Sequence, residues 1–306
     1  MTSLEPTARF VRIEPPERRA ALSLLLSGRT HHADGPVDSF LHYTTRQNLD
    51  ISNLWVAQNG DQMLAACLVV PSPGRTGMIF ISPIRDRGGL EITGKLISAT
   101  LGGVDRQRVR LVQALLDPGQ HYETKALVDA GFTSLAELIY MQRRTERGDA
   151  SLLLPDGLEA VVWSPQARPL FTDAILGSYE QTRDCPGLVG LREIDDIIAG
   201  HMAAGIFEPD LWLALHHRGE PAGVMLLNRM AHDAAVELVY LGLTPRWRGH
   251  GLGRVLVTRG IAQAHARGLR NMLLAVDSAN APAKRLYESL RFSAHARKRA
   301  LIFALS

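Results

Sequence analysis

Short apolar runs with two-residue alternation, separated by segments whose apolar residues return every three or four positions, recur along this chain and predict alternating strands and helices. In the first half, residues 8–13 predict a strand, 16–26 a helix, 54–58 and 62–70 a hairpin turning at Asn59-Gly60, and 77–81 a further strand. A helix over 90–101, a strand over 109–116, a helix over 122–130 and a strand over 135–141 follow. Residues 144–156 are polar, contain Gly148 and Pro155, and read as a linker. From Leu158 the order returns: a strand over 160–163, helices near 167–180 and 194–204, and paired strands over 211–215 and 223–227. Leu54-Trp-Val-Ala57 answers Leu211-Trp-Leu-Ala214, Ile81-Ser-Pro83 answers Leu243-Thr-Pro245, and Ala130-Gly-Phe132 answers Leu290-Arg-Phe292. A period of roughly 150 residues is too long for a solenoid, so the expectation is two copies of one domain, residues 1–145 and 156–306.

The second copy contains the stretch with the most chemistry. Val236-Glu-Leu-Val-Tyr-Leu-Gly-Leu-Thr-Pro245 reads as a strand, Arg246-Trp-Arg-Gly-His-Gly-Leu-Gly-Arg254 as a glycine-rich turn, and the apolar-periodic run to Gly268 as a helix. Gly249, Gly251 and Gly253 therefore sit where a helix begins. The first-turn N–H groups there lack intrahelical partners and face the positive end of the helix dipole, so backbone alone can hold an anionic phosphate. Arg248 and Arg254 add positive charge on either side. A dinucleotide fingerprint would need glycine at Arg254, and no P-loop Gly-Lys-Ser/Thr occurs anywhere in the chain.

Arg248-Gly-His-Gly-Leu-Gly253 resembles the Arg/Gln-x-x-Gly-x-Gly/Ala signature with which GNAT-superfamily N-acetyltransferases hold the pyrophosphate of acetyl-CoA. Downstream, Asn271-Met-Leu-Leu-Ala-Val276 suits a buried strand. Asn280-Ala-Pro-Ala-Lys-Arg-Leu-Tyr287-Glu-Ser-Leu-Arg-Phe292 is similar to the family's Asn-x-x-Ala-x-x-Leu-Tyr-x-x-x-Gly-Phe, except that Arg291 replaces the glycine. That glycine serves as a left-handed helix stop, so Arg291 implies a strained or differently closed turn. The resemblance covers about the last 150 residues closely and the first 145 faintly.

What the resemblance implies is an α/β protein of two tandem GNAT-like domains, each a mixed, mainly antiparallel sheet flanked by helices, with acetyl-CoA as co-substrate. Its cofactor-binding set is Arg248, Gly249, His250, Gly251, Leu252, Gly253 and Arg254, the backbone of Leu241 and Leu243 on a strand that splays from its neighbour, and Asn280. Asn280 is equally a plain helix N-cap.

Acetyl transfer to an amine needs a neutral amine, a positioned carbonyl, stabilisation of the oxyanion and a proton for the thiolate. An alkyl ammonium is largely protonated at neutral pH, so a base must take its proton. Glu237, polar within an apolar strand, is the candidate base; its plainer reading is a residue on a solvated face. Tyr240 is placed to gate the same cleft. The resemblance gives Tyr287 the role of acid to the thiolate, and otherwise its ring packs an amphipathic helix.

The first copy keeps the frame and loses these groups. Arg87-Gly-Gly-Leu-Glu91 stands for the cradle, with a carboxylate that would repel phosphate at the third glycine's place; Leu127 matches Tyr287, and Arg75 lies roughly opposite Glu237. A catalytically silent or acceptor-shaping N-terminal domain is expected.

Composition narrows the remaining choices. Hydrophobic content of 46% with 21% charged residues over 306 residues fits a globular protein of two domains. A net charge of +3 with scattered arginines argues against a nucleic-acid partner. No apolar run of eighteen residues and no secretory leader are visible, so no membrane span is expected, and two cysteines, Cys67 and Cys185, fit a cytoplasmic setting. Cys67 reads as buried and Cys185 as a turn residue. The adjacent pairs His31-His32 and His216-His217 would point to opposite strand faces, so no metal site is expected. Serine-hydrolase and zincin motifs are absent. The expected acceptor is a primary amine of a small molecule or peptide, taken by a monomer or homodimer. Glu180, Arg183, Asp184, Glu193, Asp195 and Asp196, on the segment facing substrate in the family, form either an acidic lining for a cationic amine or a solvated face. The competing class is a non-catalytic acetyl-CoA sensor.

Overall fold

The computed structural model describes residues 8–28, 34–146, 152–231 and 233–305. The chain forms two compact units, one of residues up to Ser134 together with Arg299–Ser306, the other of Leu135–Lys298. Strands are β1 (Arg9–Arg12), β2 (Leu54–Asn59), β3 (Gln62–Ser72), β4 (Thr76–Ile81), β5 (Leu111–Leu116), β6 (Thr133–Arg144), β7 (Leu158–Val162), β8 (Trp212–His217), β9 (Glu220–Arg229), β10 (Ala235–Leu243), β11 (Asn271–Asp277) and β12 (Ser293–Ala304). Helices are α1 (Arg18–Ser27), α2 (Asp34–Arg46), α3 (Arg87–Gly102), α4 (His121–Asp129), α5 (Arg168–Tyr179), α6 (Ile194–Ala203), α7 (Leu252–Ala266) and α8 (Ala281–Ser289).

In the N-terminal unit the strand order is β1-β2-β3-β4-β5-β12. All neighbours are antiparallel except β4 and β5. Leu22, Val37, Leu54 and Leu68 form a core under α1 and α2 on one face, and Leu96, Leu127, Val112 and Leu301 a core under α3 and α4 on the other. The C-terminal unit has the order β6-β11-β10-β9-β8-β7, again antiparallel apart from one parallel pair, β10 with β11. Phe171, Ile175, Ile198 and Trp212 pack under α5 and α6, and Val236, Leu256, Met272 and Tyr287 under α7 and α8. Both units thus have the mixed, mainly antiparallel sheet and flanking helices that the resemblance implies.

The compact units do not coincide with the segments 1–145 and 156–306. Each sheet takes its last strand from the other segment: Arg299–Ala304 of β12 pair with β5, and Leu138–Arg144 of β6 pair with β11. Two elements go beyond the expected series. One is β12, whose Arg297-Lys-Arg299 reads as a charge cluster although Ala300, Leu301 and Ile302 are buried. The other is α2, where Gly35-Pro36 resembles a breaker. Of the histidine pairs, His31-His32 lies outside the described residues, whereas His216 faces Glu159 and the ring of His217 lies 5.5 Å from Trp247, so the second pair does diverge.

Candidate active site

The parallel pairing of β10 with β11 runs from Ala235 to Leu238 and stops, while β10 continues along β9 as far as Leu243. The strands therefore part after Leu238. Thr244 N–H bonds to Ala222 on β9. By strand alternation the N–H and C=O of Leu241 and Leu243 then point away from β9, where Leu243 O accepts from Arg248 Nε.

The ladder shifts by one residue between Leu238 and Tyr240. This bulge puts Tyr240 on the same sheet face as Glu237: their partners, Leu226 and Asn228, are two residues apart on β9. Without it the two side chains would project oppositely. Tyr240 shares a 2.7 Å hydrogen bond with Ser178 Oγ, and its ring lies 5.3 Å from His201 and 6.0 Å from Tyr179. Burial pushes the Tyr240 phenol upward and lowers His201 to about 4, aided there by Arg192. Glu237 is half-buried, and desolvation raises its carboxyl above the usual glutamate range, which suits a base near neutral pH.

Helix α7 starts at Leu252, capped by Gly251 at φ 78° with no side-chain bond, and Gly249 has φ 80°. Both glycines hold left-handed backbone with open space where a Cβ would project, so the first-turn amides of α7 face an unobstructed surface. Gly253 is glycine for another reason: its hypothetical Cβ would lie 3.0 Å from Leu286 on α8, so it lets the two helices approach.

Arg248 is held by backbone carbonyls. Its guanidinium donates to the carbonyls of Ser178, Glu180 and Gln181 at the negative end of α5, and its Nε to Leu243 O. These bonds fix the turn. Arg254 is exposed on the first turn of α7 and donates to Ser289 Oγ, and His250 is exposed in the turn itself.

Asn280 caps α8 through Oδ1, accepting from Ala283 N–H, with Pro282 in the first turn. Tyr287 is buried on this helix, its ring 5.7 Å from Phe292. Burial and the nearby charge of Asp184 raise its phenol, so Tyr287 stays protonated. Asp184 is the member of the acidic segment that reaches this site. It accepts from Asp277 N–H at 3.1 Å and bonds the Asn280 side chain, while Asp277 accepts from Cys185 N–H at 3.2 Å. This reciprocal clamp ties the loop after α5 to the end of β11. The Asp184 signal, a carboxylate beside Cys-Pro, was visible in sequence but indistinguishable from its solvated neighbours. Burial together with Asp184 and Asp277 pushes the Cys185 thiol up to about 12, so Cys185 is an unreactive turn residue; buried Cys67 is also raised to about 12.

Arg291 takes φ 65°. Phe292 N–H bonds to Tyr287 O and Arg291 N–H to Glu288 O, a complete left-handed helix stop built on an arginine. The corresponding turn after α4 uses Gly131 at φ 97°.

The N-terminal unit shows what the C-terminal one lacks. Its β4 also parts from β5, after Met78, but Asp86 caps α3 by accepting from Gly89 N–H at 2.8 Å and Glu123 accepts from Ile84 N–H at 2.9 Å. Glu91 is exposed and pairs with Lys95, and Leu127 is buried. Arg75 is not opposite Glu237; it lies in the turn before β4 at φ 49°, and the strand positions at that level are Thr76 and Met78.

Residues 169–292 match the acetyltransferase (GNAT) family. Across 179 residues it is 29% identical to the mycothiol acetyltransferase of Streptomyces avermitilis, covering 58% of this chain and 57% of that protein. It is 41% identical to the mycothiol acetyltransferase of Acidothermus cellulolyticus over 83 residues, 26% of this chain and 25% of that one. The chain thus aligns with little more than half the length of the first of these relatives and a quarter of the second. In fold it is similar to a GCN5-related N-acetyltransferase from Sphaerobacter thermophilus (TM-score 0.64, 15% identity, 96% of this chain and 95% of that one). A tandem GNAT protein from the clavulanic acid biosynthesis pathway is also similar (TM-score 0.55, 15% identity, 97% and 98%). Acetyl-CoA is the co-substrate of acetyltransferases of this fold, and among the described residues no helix is long and apolar enough to cross a membrane.

Proposed function

We propose that the C-terminal unit transfers the acetyl group of acetyl-CoA to a primary amine of a small molecule or peptide, in the cytoplasm. The observation that carries this reading is the uncapped, glycine-started α7 beside a parted strand, in a chain whose other unit caps the matching helix with the carboxylate of Asp86. The backbone of Gly249–Arg254 holds the pyrophosphate, and the open edge at Leu241 and the Leu243 N–H holds the arm that leads to the thioester. Acetyl-CoA supplies an activated carbonyl and a good leaving group. Glu237 takes the proton of the acceptor ammonium, so that nitrogen attacks the carbonyl carbon; the N–C bond forms and the C–S bond breaks. Tyr287 gives its proton to the departing sulfur and regains one from Glu237 through solvent, while the second proton of the attacking nitrogen is released to solvent, leaving a neutral amide. Burial, with the charge of Asp184 added to it, keeps Tyr287 protonated until that step.

The test is free-thiol release from acetyl-CoA across polyamines, aminoglycosides, amino sugars, amino acids and peptide N-termini. Turnover with at least one class is expected. Acetyl-CoA binding with no thiol release from any of them would make the protein a sensor instead.

A further inference from the structure

Glu237 does not stand alone on its sheet face. It pairs with Leu273 of β11; two residues on, Ala275 pairs with Tyr140 of β6, so Glu237, Leu273, Ala275 and Tyr140 all project to one side. Helices α5 and α6 bury the part of this face made by Trp212, Ala214, Val224 and Leu226, but Leu273, Ala275 and Tyr140 remain half-exposed. The Tyr140 ring meets His295 edge-on at 6.3 Å. The result is a shelf with a carboxylate at one end and an aromatic ring with an imidazole at the other.

We propose that Tyr140 is an acceptor-binding residue of the C-terminal site: the acceptor lies along this shelf with its amine toward Glu237 and its body against the Tyr140 ring, edged by His295. The inference rests on the acetyl-transfer reading and extends it, because Tyr140 belongs to the N-terminal repeat by sequence and reaches the C-terminal sheet only through β6. Charge complementarity selects the occupant. A half-buried carboxylate at one end of a shelf otherwise made by Leu273, Ala275 and Tyr140 favours an ammonium there, and a tyrosine presents both a flat apolar face and a hydroxyl to the body of the acceptor. The electrostatic influence of Glu237 on the Tyr140 phenol, which adds to burial in raising it, fits this proximity. An N-terminal repeat without chemistry of its own would on this view still set which amine is accepted.

The test uses the full chain and the panel amine with the highest kcat/KM. Tyr140→Ala is expected to raise the acceptor KM at least tenfold while leaving the acetyl-CoA KM within twofold, and Tyr140→Phe, which keeps the ring, to recover most of the loss. His295→Ala should raise the acceptor KM by a smaller factor. An acceptor KM unchanged in Tyr140→Ala, or equal rises in both KM values, would overturn the inference and leave Tyr140 a packing residue, with the acetyl-transfer reading intact. A wild-type protein that releases no thiol with any amine would instead remove that reading and this inference together.

Discussion

In the N-terminal unit the strand that parts from its neighbour leads to a helix capped by Asp86, and Glu123 satisfies the Ile84 N–H close by. In the C-terminal unit the matching strand leads to a helix begun by Gly251 with no side-chain cap. The two frames share strand order, parted strands and even an arginine staple, with Arg85 bonded to Gly28 O in one and Arg248 to the end of α5 in the other. What differs is the partner of the backbone donors. A helix end that supplies its own carboxylate gains stability and leaves little for an anion to bind; one that leaves its amides bare gives up about 1 kcal/mol of capping and keeps a phosphate site.

Substitutions break or sharpen this contrast to different degrees. The largest effect is expected at Tyr287, where Leu127 already stands in the other unit: Tyr287→Phe should lower kcat about 100- to 1000-fold, with acetyl-CoA affinity by calorimetry within twofold. Glu237→Gln should reduce kcat/KM about 100-fold. Because burial raises this carboxyl, the wild-type acid limb of kcat/KM should fall above the free glutamate value of about 4.3, with activity lost as pH drops through it, and the Gln variant should lack that limb.

Gly251→Glu places in the second cradle the kind of charge that Asp86 and Glu91 bring to the first. It should weaken acetyl-CoA binding about 100-fold or more, whereas Gly251→Gln, equally strained at φ 78° but uncharged, should weaken it less. Equal affinities in all three proteins would remove the cradle assignment. Conversely, Glu123→Ala leaves Ile84 N–H without its carboxylate and should destabilise the fold by about 1–3 kcal/mol in urea, without creating acetyl-CoA affinity in a Gly251→Glu background. Smallest of all, Arg291→Gly relieves a left-handed arginine and should stabilise the protein by about 0.5–1 kcal/mol, read as a small rise in Tm.

Much of this molecule is written locally. The hairpin of β2 and β3, the run from β10 through the glycine turn into α7, and the Asn280 cap are near-neighbour patterns, and each can be read from residues within about ten positions of one another. Helix α2 was legible too, since Val37, Phe40, Leu41 and Thr44 recur at helical spacing, but Gly35-Pro36 obscured it. Strand β12 was not: its first half is largely exposed, and its apolar end is buried only because β5, nearly two hundred residues earlier, lies beside it.

The candidate site divides the same way. Glycines at a helix start and a tyrosine at fixed spacing are properties of the chain, because backbone conformation and helix periodicity are local. That Arg248 faces the end of α5, that a bulge turns Tyr240 onto the face of Glu237, that Asp184 rather than its acidic neighbours approaches Tyr287, and that Tyr140 joins the second sheet were settled by tertiary structure alone. Each depends on which distant strand or loop occupies the adjoining space, and burial, charge and hydrogen bonding act through space without regard to order along the chain.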